Sequence, residues 1–325
     1  MKWMYRVLMG LAAALVLLAA FIQIAGNKKF DAPYPDISAS TDPDIIARGE
    51  YLAYGPAHCA TCHVPMDKVR AVEDGLKIPL SGGWELNIPP GTLRAPNLTP
   101  DPETGIGKRT DAELARTLRH GVAHDGHFVM PVMPYAQMSD ADLQAVISFL
   151  RSQPPVVHQV PPTKYGFLGK ALIAFGVLKP APPGEAPPKS VPREASIAYG
   201  EYFAKNIANC MTCHTAMDLM SGQFTAPHFS GGFVFEPDAF SEGYAFVSPN
   251  LTPHETTGIM THWSKEAFEA RFRGGRIHRG SPMPWGAFSQ MDSTDLSAVF
   301  LYLQSLEPVE HRIEKIVYQP GEPLK

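Results

Sequence analysis

The most constraining feature of this chain is an internal duplication. RGEYLAYGPAHCATCHVPMD, from Arg48, returns as YGEYFAKNIANCMTCHTAMD from Tyr199. APNLTPDPETGIG, from Ala95, returns as SPNLTPHETTGIM from Ser248. Each copy closes on an apolar-periodic segment, SDADLQAVISFLRSQPPV from Ser139 and STDLSAVFLYLQSLEPV from Ser293. Self-similarity at this scale means one small fold used twice, with a unit of about 120 residues. The 325 residues suffice for two such units, each able to bury its own core.

Helical signals dominate the repeat. In the first closing segment Ser139 is the expected N-cap, followed by acidic residues. Leu143, Val146, Ile147 and Leu150 then fall at helical spacing, as do Leu296, Val299, Phe300 and Leu303 in the second. Further helices are expected around Ile45–Tyr54 and Ile197–Phe203, just before each cysteine pair. The fold class expected from this patterning is all-α: two tandem domains behind one N-terminal transmembrane helix. The 32 prolines are confined to loops and connections on this reading. A formal net charge of -4 argues against a nucleic-acid partner, which would need a basic stripe.

Val7 to Ala25 is uncharged, with Gln23 its one polar side chain. Nineteen residues of helix reach roughly 28 Å, close to the thickness of a bilayer's hydrocarbon core. A cleaved signal peptide is the rival, but its apolar region is usually only ~7–15 residues long and ends in a small-x-small site. The run here is longer, and nothing after Phe21 offers that pattern, so an uncleaved anchor is expected over 1–29. The expected division is then 30–157 for the first domain, 158–192 for a Pro-rich linker, 193–318 for the second domain and 319–325 for a tail. Within the linker, the apolar patch Phe167–Leu178 is too short to span a bilayer. It reads as a helix packed across the two domains, or as contact with a membrane surface or partner.

All four cysteines fall in two copies of one motif, Cys59-Ala60-Thr61-Cys62-His63 and Cys210-Met211-Thr212-Cys213-His214. C-x-x-C-H is the attachment signature of c-type haem. Two thiols one helical turn apart reach the porphyrin vinyl groups, and the adjacent histidine ligates the iron. A redox dithiol would want a βαβ context, and a zinc site a second pair of ligands near each C-x-x-C. Neither is visible, so the cofactors expected are two covalently bound haem c groups, with His63 and His214 as iron ligands.

A second axial ligand is sought in the loop before each closing helix. In the second unit it is Met283, within Ser281-Pro282-Met283-Pro284-Trp285. In the first, Met130 and Met133 compete. Asn97 to Asn250 and Met138 to Met291 are both 153 residues apart, and the same offset carries Met130 onto Met283. Met133 would need a three-residue gap, so Met130 is preferred and Met133 is its alternative. A thioether ligand favours ferrous iron and raises the potential. His120, His124, His127 and His278 lie near these loops as competing ligands. Asn97 and Asn250 could bind a haem propionate or simply make a turn. Trp84 and Phe233 are expected on the haem faces, and Arg94, with Val247 at its repeat position, is a candidate propionate partner.

These residues resemble the class I cytochromes c, and in particular the cytochrome c subunits of membrane-bound bacterial alcohol and gluconate dehydrogenases. The likeness rests on Gly49-Glu50-Tyr51-Leu52, Asn97-Leu98-Thr99-Pro100-Asp101, Thr104-Gly105-Ile106-Gly107 and Met130-Pro131. In the second unit it rests on Gly200-Glu201-Tyr202, Asn250-Leu251-Thr252-Pro253, Thr257-Gly258-Ile259 and Met283-Pro284. Those subunits typically carry three haem motifs, whereas this chain has two and an N-terminal anchor. The resemblance implies an electron carrier, not an enzyme, at the bacterial inner membrane with its soluble domains in the periplasm. It would pass electrons from a dehydrogenase or quinol donor toward a cytochrome or oxidase acceptor, with lipid as the partner of the N-terminal helix. A di-haem peroxidase is the alternative, and Met residues in register in both units speak against it, because a peroxidase needs an open iron.

Overall fold

The computed structural model describes residues 1–182, 184–219, 222–238, 240–278 and 280–324. The chain opens with α1 (Lys2–Ala25), α2 (Pro43–Tyr54) and the short α3 (Val69–Glu73). The hairpin β1 (Glu85–Ile88) and β2 (Gly91–Arg94) follows, then α4 (Asp111–His120), α5 (Asp140–Ser152), β3 (Lys164–Tyr165) and α6 (Phe167–Ala174). The second half contains α7 (Ile197–Asn206), α8 (Cys210–Cys213), β4 (Met217–Asp218), β5 (Gln223–Phe224), β6 (Val234–Phe235) and β7 (Ala245–Val247). It ends with α9 (Lys265–Arg273), α10 (Trp285–Phe288), α11 (Ser293–Gln304) and β8 (Val317–Tyr318).

The pairing of first and closing helices builds each half. The Ser139 side chain accepts from the backbone N–H of Asp142, and Asp140 and Asp142 complement the helix dipole. Leu143, Val146, Ile147 and Leu150 are all buried against α2. Each contributes about 1.5–3 kcal/mol of hydrophobic stabilisation. Pro154 and Pro155 follow directly and stop the helix. α11 repeats the arrangement against α7, except that its N-cap is Asp292 rather than Ser293. Leu296, Val299 and Leu303 are buried, and Phe300 is half-buried against Phe268. The helices cross so closely that only glycine fits: a Cβ on Gly49 would lie 1.8 Å from the Ala145 carbonyl oxygen, and one on Gly200 2.0 Å from that of Ala298.

The all-α expectation does not hold. Helix makes up 38% of the chain and strand 8%. β1-β2-β3 form an antiparallel sheet, β6-β7-β8 form its repeat, and β4 pairs with β5. The cause is local. The Gly-Gly pairs at Gly82 and Gly231 adopt positive φ just before β1 and β6. Strands of two to four residues are too short for an alternating pattern to register. The 153-residue offset also relates β3 to β8, so the repeat extends to Tyr165.

The halves exchange hydrogen bonds reciprocally. The Tyr51 hydroxyl donates to Asp295 (2.5 Å) and accepts from the N–H of Asp292 (3.1 Å), the N-cap of α11. Tyr202 does the same in the other direction, donating to Asp142 (2.7 Å) and accepting from the N–H of Ser139 (2.9 Å), the N-cap of α5. Each half thus caps the closing helix of the other. Glu73 on α3 forms a two-pronged ion pair with Arg276 across the same boundary, at 3.0 and 2.7 Å.

α1 is long and apolar enough to cross a membrane, and only 6% of its most apolar stretch is buried in the protein. That separates it from a core helix. α6 does not pack across the two halves; it lies against α1.

Candidate functional site

Cys59–Thr61 form a single 3₁₀ turn and Cys210–Cys213 a single helical turn, each entered through a left-handed residue, His58 and Asn209. In the second motif the turn brings both thiols and the histidine to one cavity. Burial pushes the Cys59 and Cys210 thiols up to about 12 and those of Cys62 and Cys213 up to about 11. A redox-active C-x-x-C would instead hold its thiol low. Among the described residues no group of three or more His, Cys, Asp or Glu could hold a metal ion, which also disfavours a zinc site.

The two histidines are held alike. His63 Nδ1 lies 3.0 Å from the carbonyl oxygen of Pro96, and His214 Nδ1 lies 3.2 Å from that of Pro249. A carbonyl can only accept, so Nδ1 carries the proton and Nε2 keeps its lone pair for a metal. Burial lowers His214 to about 4 and lowers His63 as well, which keeps both rings neutral.

Beside the second motif is a cavity of about 420 Å³, and Cys210, Cys213, His214 and Met283 all line it. Its walls are apolar, including Leu251, Ile259, Met260, Phe272, Trp285 and Phe288. A thiol pair, a neutral imidazole and a thioether around a greasy slot match the donor set and the polarity that haem c requires. His278 lines the same cavity.

In the first unit Tyr135 brings the methionine loop to the cysteines. It is buried, and its hydroxyl donates to the carbonyl of Ala57, two residues before Cys59. Arg119 donates to the carbonyls of Ala136 and Met138, as Arg273 does to those of Ser289 and Met291. The acceptors are 153 residues apart and the donors 154, so the register is 153 from Ala136 to Met138 and shifts by one residue between there and Arg119. Tight turns also match, with Val132 N–H bonding to Met130 O (2.7 Å) and Trp285 N–H to Met283 O (2.8 Å). Tyr135 N–H makes the same bond to Met133 O (3.0 Å), and it is Met133 that packs on the core, while Met130 is half-buried near Tyr165.

Other candidates fall elsewhere. Asn97 donates to the Val156 carbonyl (2.8 Å) and accepts from Thr99 N–H (2.9 Å), and Asn250 repeats this with Val309 and Thr252 (both 2.9 Å). Both amides are used in building a turn, not in waiting for a propionate. Arg94 is paired with Glu85 at 2.6 Å. Trp84 stacks on Phe240 of the other half (centroids 6.1 Å apart), and Phe233 rests on Phe235 (4.7 Å). His127 pairs with Asp125 on the surface, edge-on to His124, and burial lowers His120.

Two features escape a reading of the sequence alone. His158 and His311, again 153 apart, bond through Nδ1 to the carbonyls of Ser81 (2.8 Å) and Ser230 (2.9 Å) and close the loops behind each site. The repeat offset is the signal that could have found them. His58 is the second: it precedes Cys59, yet its ring lines the cavity of the second motif and meets Phe288 edge-on at 5.8 Å. No sequence signal marks it, because Asn209 holds its repeat position.

This geometry has the donors that a c-type haem needs, and residues 46–154 match the cytochrome c domain family. Such a domain holds haem c covalently. Over 319 residues the chain is 29% identical to a nicotinate dehydrogenase component of Pseudomonas putida, covering 94% of this chain and 25% of that protein. It is 28% identical over 321 residues to the cytochrome c subunit of the quinone alcohol dehydrogenase of Gluconacetobacter polyoxogenes (93% of this chain, 63% of that one). With a diheme cytochrome c-type protein of Cereibacter sphaeroides it shares 26% over 315 residues, covering 93% of this chain and 98% of the relative. The chain thus spans a quarter and somewhat under two thirds of the first two proteins.

Proposed function

We propose that this chain is a membrane-anchored di-haem electron carrier, with one haem c on Cys59 and Cys62 and a second on Cys210 and Cys213. His63 and His214 serve as proximal ligands and Met130 and Met283 as distal ones. The carrying observation is that Met283, His214 and both thiols of the second motif line one apolar cavity. The first unit repeats the histidine clamp and the asparagine-built turn. For Met130 the support is the 153-residue register and its matching turn; for Met133, its packing on the core.

Haem c, held by these residues, would supply one-electron exchange. The chain's residues set the conditions for this. Pro96 and Pro249 orient the imidazoles, the aromatic walls exclude water, and the reciprocal Tyr–Asp bonds hold the halves in one arrangement. His58 stands one peptide bond from Cys59 and in the wall of the second cavity, which supports passage between the sites.

The relationship to dehydrogenase subunits supports a dehydrogenase as donor and a respiratory cytochrome or oxidase as acceptor. The span at α1 supports attachment to the bacterial inner membrane, and covalent haem attachment, which takes place on its outer side, supports the periplasm for the rest of the chain. Spectra of the purified protein test the reading. The expected result is a methionine–iron band in the ferric state, two haems per chain, and no carbon monoxide binding to the reduced protein. Rapid peroxide turnover, or carbon monoxide binding at one haem, would replace the carrier with a peroxidase.

A further inference from the structure

Residues 164–179, KYGFLGKALIAFGVLK, contain three lysines and no acidic residue. They form β3, α6 and the turn after it, between two fixed supports. On one side β3 pairs with β2, joining the segment to the first sheet. On the other, α6 is pressed against the last turns of α1. The rings of Phe21 and Phe175 are 5.8 Å apart, and Lys170 Nζ donates to Gln23 Oε1 at 2.8 Å. A Cβ on Gly26 would lie 2.5 Å from that of Lys170, so only glycine permits the approach. Yet the outer face is bare and apolar: Phe167, Leu168, Phe175 and Val177 are 48–61% exposed.

We infer that α6 and its following turn are a second membrane contact, seated in the boundary between headgroups and acyl chains of the bilayer that α1 crosses. This rests on the reading of α1 as a membrane span. Phe21 lies four residues before the end of α1, about 6 Å along the helix axis. Phe175, packed on it, therefore sits within the ~5–10 Å depth of interfacial helices. The patch continues the lipid-facing surface of α1, itself almost wholly uncovered. Lys179, with Lys28 at the end of the span, is long enough to reach anionic headgroups, while Lys29 is held by Asp125 and Lys170 by Gln23. Because α6 is tied to the first sheet as well, this contact fixes the tilt of the soluble part against the membrane, which a single flexible tether would leave free.

The test uses the full-length, haem-loaded chain, in which the native cysteines are consumed as thioethers. Phe175→Cys, Leu168→Cys, Leu15→Cys and Val157→Cys are each spin-labelled and reconstituted into phosphatidylcholine–phosphatidylglycerol vesicles. Collisions with lipid-soluble oxygen and with a water-soluble nickel chelate are then compared. Labels at 175 and 168 should favour oxygen as the label at 15 does, while that at 157 favours nickel. If 175 and 168 behave like 157 while 15 stays in lipid, the inference fails and the span stands. If the label at 15 meets nickel, or the chain does not float with the vesicles, both fall. If 175 and 168 are shielded from both reagents, protein covers the patch and the lipid contact is refuted.

Discussion

Replacing Tyr202 by phenylalanine removes one oxygen from the boundary between the halves, and its cost follows from its two bonds. The hydroxyl donates to the Asp142 carboxylate at 2.7 Å, and a hydrogen bond to a charged group is worth about 1.5–3 kcal/mol. It also accepts from the Ser139 N–H at 2.9 Å, and Ser139 is only 1% exposed, so no water replaces it. An unpaired buried N–H costs about 1–3 kcal/mol. Asp142 keeps Arg48 Nε at 2.9 Å, which offsets part of the loss, leaving a destabilisation of about 2–4 kcal/mol. Tyr51→Phe should cost less, about 1–2 kcal/mol. There Asp295 keeps the Tyr199 hydroxyl (2.8 Å) and Arg193 Nε (3.1 Å), and Asp292 is open enough for water to serve its N–H. Urea unfolding followed by tryptophan fluorescence and by haem absorbance measures both. A Tyr202→Phe midpoint indistinguishable from the parent, or Tyr51→Phe as the costlier change, would refute the reciprocal-cap account.

Glu73→Gln breaks the pair with Arg276, whose side chains are 13% and 15% exposed; partial burial puts the loss at about 1–3 kcal/mol in the same unfolding assay, and no change would mean the pair is decorative. Burial lowers the His58 pKa, so the unfolded chain takes up a proton that the folded chain refuses. Stability is then full above the ordinary imidazole value of about 6.5 and falls as pH drops below it. His58→Gln should flatten that decline between about pH 7 and 5, and an unaltered slope would remove His58 from the buried set. Met130→Ala should abolish the first unit's methionine–iron band and lower its potential, with Met133→Ala leaving the band in place; the reverse outcome assigns the ligand to Met133.

Much of this is legible in the amino-acid string, for physical reasons. The closing helices carry a cap and a full apolar stripe, and both signals are local. The cysteine motifs are contiguous, and duplication doubles every weak cue, so Met138 and Met291 fix a register that no single copy could. The strands are opaque because β3 and β8 are two residues long and depend on partners more than 70 residues away in sequence. His58 and the Tyr–Asp exchange are opaque for a related cause. Each joins one half to the other, and nothing local to Tyr51 announces Asp295. α6 shows its apolar character plainly, but that character does not say which neighbour meets it. Asn97 and Asn250 read equally as ligand and turn until the Val156 and Val309 carbonyls are seen accepting from them.

Tyr51 and Asp295 are 244 residues apart. At the ~5–20 residues per second of protein synthesis, the partner of Tyr51 appears roughly 10–50 s after it. The first half can pair α2 with α5 as soon as Ser152 has emerged, long before Asp292 and Asp295 exist. During that interval the Cys59 motif is complete and its His58 flank lies open, since Phe288 has yet to be made. The second motif has no such interval to itself, because His58, the first half's residue in its cavity wall, is already waiting. Order of synthesis thus gives two nearly identical cysteine motifs different histories.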